Sequence, residues 1–170
     1  MSEKKLNILT LALGIAALPP IWAVLAPFAG ITTGAVALIC AGLYVTNGNK
    51  ISDALKITLG FLCGDCWAVL AIFIMEKLTL NPNLELYGTL FILGGLAVII
   101  GENLSNYIFT PAWLCGWAIG LMIMGPLSIA ALGTLPIQIG AAMIAGVLYV
   151  GIGVDFFQKK LIGIFRRQGE

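Results

Sequence analysis

The chain has 170 residues, of which 60% are hydrophobic and only 10% charged. A soluble domain carries about 25% charged residues to coat its surface, so nine basic and eight acidic side chains cannot cover a water-facing globule. Composition therefore excludes a soluble enzyme and a secreted module, and the near-neutral balance offers no basic stripe to a nucleic acid. The expected partner is a lipid bilayer.

The opening Met-Ser-Glu-Lys-Lys and the apolar run behind it loosely resemble a signal peptide. No small-residue cleavage site precedes the next apolar segment, so the run is read as a retained first span. With about 20 apolar residues needed per crossing, that span covers 6–26. Pro19 and Pro20 fall inside it. Paired prolines remove two backbone donors, so a kink or break is expected beside Trp22. Irregular backbone at membrane depth lines protein or a watery cavity, which makes Pro19, Pro20 and Trp22 candidates for a site as well as for simple packing.

The second span is expected over 31–45 and the third over 54–75. Asp65 sits near the middle of the third, with no other charge between Lys56 and Glu76. An ionisable group at the bilayer centre costs on the order of 3 kcal/mol and is a functional candidate by default. Asp65 reads either as a pore-facing carboxylate that binds a cation or exchanges a proton, or as a hydrogen-bonded link between helices. Trp67 lies too deep for an interfacial belt and is a candidate for a size-selecting constriction. Gly60, Gly64, Ala68 and Ala71 recur every three or four residues. Such a stripe permits close helix contact in lipid, as a seam within the protomer or as a subunit interface.

Cys63 and Cys66 flank Asp65. They could contribute to a soft-metal site, but no second pair completes it, and all four cysteines fall in apolar stretches, so packed free thiols are expected. The absence of His removes the commonest ligand and proton shuttle. No metal and no cofactor is expected.

The fourth span covers 86–100. Glu102, Asn103, Asn106 and Tyr107 follow it as the densest polar group in the chain. On a helix Glu102 would face Asn106 and Asn103 would face Tyr107, lining a cytoplasmic vestibule unless the segment is an ordinary solvated loop. The fifth span covers 108–124 and the sixth 135–157. Gln138 in the sixth is a possible donor to a solute or a neighbouring helix.

Six spans with a cytoplasmic N-terminus place eight of the nine basic residues inside, leaving only Lys77 outside, in line with the positive-inside rule. Both termini are then cytoplasmic. Cutting near Asn81-Pro82 gives two three-helix units of opposite orientation, an arrangement used by many transporters.

Four stretches carry a family resemblance. These are Gly14 to Val24, with its Pro-Ile-Trp-Ala-Val ending; Leu55-Lys56-Ile57 through Gly64 to Trp67-Ala68-Val69; Leu84-Glu85-Leu86-Tyr87-Gly88; and Pro111 followed by Gly116. Together they resemble the domain-of-unknown-function family 1097. The resemblance implies an all-α, six-helix protein of the bacterial inner membrane and assigns no activity. It also implies an apolar residue where this chain has Asp65, while Gly64 and Trp67 match; that shifts weight from the carboxylate to the tryptophan and the glycine seam.

The expected function is passage of a small solute across the cytoplasmic membrane, as a channel or secondary transporter, with assembly into a homo-oligomer. Alternatives are a membrane subunit of an ATP-driven importer and a structural or assembly protein without transport. No nucleotide-binding loop is present for direct ATP coupling. No nucleophile–base pair or metal cluster can be assembled for an intramembrane enzyme.

Overall fold

In the computed structural model, residues 3–167 are described, with side chains up to 165, so the side chains of Arg166 and Arg167 lie outside the described residues. Every regular element among them is helical. Helix α1 runs Glu3–Leu25, α2 Val36–Thr46, α3 Ile51–Lys77, α4 Pro82–Asn103, α5 Thr110–Met124, α6 Leu135–Ala145 and α7 Ile152–Arg167. A π-helical segment, Gly146–Gly151, joins α6 to α7, making one continuous rod.

Four rods are long and apolar enough to cross a membrane: α1, α3, α4 and the α6–α7 rod. The other two are short. Helix α2 has 11 residues and α5 has 15, about 16 and 22 Å at 1.5 Å per residue, against a hydrocarbon core of about 30 Å. The expected span over 31–45 therefore begins late. Its first residues form turns because the Thr32 N–H donates to Gln138 Oε1 (3.0 Å) instead of entering a helix.

Of the kink or break expected in α1, the break does not occur: the helix passes through Pro19 and Pro20. Each proline removes one i→i−4 bond, freeing the carbonyls of Ile15 and Ala16. In hydrocarbon the remaining helical bonds are the only partners for the other backbone groups, which favours keeping the helix.

The core is built from backbone-to-backbone contacts. Gly60 and Gly64 of α3 meet the α5 backbone from Phe109 to Trp117, and Gly116 of α5 meets Phe61 in return. A Cβ at Gly64 would overlap the Trp113 carbonyl and the Trp117 amide. Ala68 and Ala71 are fully buried on the same line. The small-residue stripe is thus a seam inside the protomer, which rules out its reading as a subunit interface. On the other side, Gly146 presses on Ala37 and Cys40 of α2, and Gly151 lies against the Tyr44 ring.

Large apolar side chains face outward, among them Phe28, Tyr87, Phe91 and Met122, the last 82% exposed. Such a surface would drive aggregation in water. In a bilayer it meets hydrocarbon.

Candidate functional site

Asp65 is buried, 6% exposed, at the junction of α3, α5 and α6. Two glycines leave the room it occupies. A Cβ on Gly120 of α5 would stand 3.5 Å from Oδ1, and one on Gly140 of α6 would stand 3.7 Å from Oδ2. Oδ1 is buried and has no hydrogen-bond partner in the protein. A carboxylate oxygen held among three helices without a donor is poised to accept a proton or to contact a cation.

Trp67 points the other way. Two residues along a helix are separated by about 200°, and its indole N–H donates to the Leu93 carbonyl of α4 (3.0 Å). Its ring meets Trp113 of α5 edge-on at 5.2 Å. Asp65 and Trp67 therefore do not face one common passage. Trp113 and Trp117 are buried with indole N–H groups that have no partner, and Thr89 of α4 has a buried hydroxyl in the same condition.

The remaining candidates are dispersed. The Trp22 indole N–H donates to the Gly34 carbonyl (3.0 Å) and its ring lies 6.5 Å from Tyr149, tying the turn before α2 to α1. Pro19 lines a hollow of about 180 Å³ between α1, α2 and the rod, with Ala41, Gly42 and Val150, while Pro20 faces outward with Ile21 and Val24. Gln138 Oε1 accepts from both the N–H and the hydroxyl of Thr32, and its amide donates to Thr134. It is a clamp between the α6 start and the turn before α2.

Glu102, Asn103, Asn106 and Tyr107 are exposed. Helix α4 ends at Asn103, so the pairing of Glu102 with Asn106 does not form, and Asn103 instead donates to the Ile99 carbonyl. The four cysteines are free, and among the described residues no cluster of three metal-ligating side chains exists.

Sequence reasoning missed three things. The first is Asp155 of α7, which is 5% exposed and paired to Lys159 at 2.7 Å; its signal was the Asp-to-Lys spacing of four. The second is Tyr44, fully buried with an unpartnered hydroxyl. The third is the answering stripe on α5, Ala112, Gly116 and Gly120, visible in the sequence as small residues four apart.

The family model described as "Protein of unknown function (DUF1097)" matches residues 12–159. The chain belongs to that family. No curated protein and no solved structure matches it.

Proposed function

We propose that this DUF1097 protein is a secondary transporter of a small solute in the cytoplasmic membrane, with Asp65 as its proton- or cation-coupling group. The observation that carries this reading is the unpartnered Asp65 oxygen, held between Gly120 and Gly140 at the middle of a 27-residue helix. Replacing either glycine by a larger residue would fill the space around the carboxylate.

The architecture supports the same reading. Long, short and long helices follow one another twice: α1, α2, α3, then α4, α5 and the α6–α7 rod. The contacts exchange between the halves in kind. The long third helix of the first half carries a glycine pair, Gly60 and Gly64, onto the short helix of the second. The long rod of the second half carries Gly146 and Gly151 onto the short helix of the first. This reciprocity fits two three-helix units of inverted topology, with six crossings, both termini in the cytoplasm, and a site where the units meet. Homo-oligomers would form through faces other than the α3 seam.

The solute is small. Weak organic acids, small amides or amines, and monovalent cations fit so narrow a bundle. Uptake of a panel of these into proteoliposomes under an imposed pH gradient tests the proposal. Gradient-dependent accumulation of one class supports it. Flux equal to that of protein-free liposomes for all classes contradicts it and favours a structural role, in which Asp65 serves only to join helices.

A further inference from the structure

Helices α1 and α7 pack antiparallel, with Leu18 against Gly153, Gly14 against Val154 and Phe157, and the Gln158 amide donating to the Asn7 carbonyl at 3.1 Å. This pairing carries the first turn of α1, with Lys4, to the same end of the bundle as Lys159 and Lys160. The α6–α7 rod spans 135–167, about 50 Å at 1.5 Å per residue, so it outreaches a hydrocarbon core of about 30 Å. Its last turns therefore lie at headgroup level.

Those turns are amphipathic in a specific way. At 100° per residue, Lys159, Gly163 and Lys160 fall within one third of the circumference, while Leu161, Ile162, Ile164 and Phe165 take the rest. Lys159, Lys160, Gly163 and Ile164 line an open hollow of about 250 Å³. Nothing lies within 4 Å of where a Gly163 side chain would begin, so a ligand can reach the backbone between the two lysines. The Lys159 side chain is 66% exposed even while it bonds Asp155, and Lys160 is exposed. Glu3, Asp53, Glu102 and Asp155 are the acids at this end; Asp155 is buried under Lys159, Asp53 accepts from Asn47, and neither Asp53 nor Glu102 lines the hollow.

We propose that this hollow is a binding site for the headgroup of an anionic phospholipid, with Lys159 and Lys160 on the phosphate, Lys4 adding charge from α1, and the exposed Phe156, one turn deeper on the lysine face, against the upper acyl chain. Charge complementarity selects the occupant, and the position at the end of a membrane-length rod places it where headgroups are. Each lysine near an anionic surface contributes about fivefold in affinity.

Native mass spectrometry of the purified full chain with dioleoyl phosphatidylglycerol or dioleoyl phosphatidylcholine tests the site. Phosphatidylglycerol binds roughly tenfold or more tighter. Lys4→Gln and Lys160→Gln each weaken it about fivefold, whereas Lys77→Gln, at the far end of α3, leaves it unchanged. Both substitutions are at exposed positions, and a thermal melt of each variant confirms its fold. Equal binding of the two lipids, unchanged binding by the Lys4→Gln, Lys160→Gln double variant, or displacement of the lipid by millimolar inorganic phosphate overturns the proposal.

Discussion

The carboxylate of Asp65 occupies the space that Gly120 leaves empty: a Cβ on Gly120 would stand 3.5 Å from Oδ1 and would overlap the Cβ of Ala68. The acid and the helix seam thus share one glycine. Fold and candidate site are coupled there.

Two glycine substitutions separate these roles. At Gly120 an added methyl meets Ala68, which cannot move without shifting α3. Gly120→Ala is expected to cost about 1–3 kcal/mol as overpacking. At Gly140 the nearest atom is Leu62 Cδ2 at 3.3 Å, the free end of a flexible side chain, with Asp65 Oδ2 at 3.7 Å. Gly140→Ala should therefore melt within a few degrees of the parent in detergent and still alter solute flux. Equal melting losses for the two variants would refute the distinction.

The α3–α5 seam gives a sharper contrast. Gly64→Ala places a methyl into the Trp113 and Trp117 backbone, which no side-chain rotation relieves, so loss of folded protein is expected. Gly88 of α4 has nothing within 4 Å, so Gly88→Ala should be neutral or stabilising by up to about 1 kcal/mol from helix propensity. Yield and thermal melts of the two variants side by side check this.

Asp155 depends on Lys159 for its one ion pair among the described residues. Lys159→Gln should lower the melting temperature, because it leaves a buried carboxylate unpaired, while Lys160→Gln should not. Adding Asp155→Asn to Lys159→Gln should recover part of the loss. A double variant less stable than Lys159→Gln would show that the pair is not the cause.

Trp22→Phe deletes the bond to the Gly34 carbonyl together with the part of the indole that a phenyl ring does not replace. The expected cost is about 1 kcal/mol, read by chemical denaturation, with increased proteolysis in the turn between α1 and α2. No change in either would show that the bond to Gly34 does not hold the turn.

Composition and hydropathy made the helical architecture legible, because an apolar run of membrane length has one way to satisfy its backbone in lipid. The ends of α3 and α4 came within a few residues for that reason. The late start of α2 was not legible, since Gln138, more than a hundred residues away, captures Thr32. Of the kink or break expected at Pro19 and Pro20, the break does not occur, because the rule for water, where a broken helix can be solvated, weakens in hydrocarbon. Asp65 stood out in the sequence as a solitary charge in an apolar run. The glycines that house it, Gly120 and Gly140, did not, because they meet it only in three dimensions. Glu102 and Asn106 misled by helical spacing, since α4 stops between them.

The most direct test of the coupling role of Asp65 is proton movement in proteoliposomes, read by a pH-sensitive dye sealed inside, when a gradient of the transported solute is imposed. The parent should shift the lumenal pH in step with solute flux, Asp65→Glu should retain part of that shift, and Asp65→Asn should abolish it while folding normally. Proton movement by Asp65→Asn at the parental rate would contradict the account.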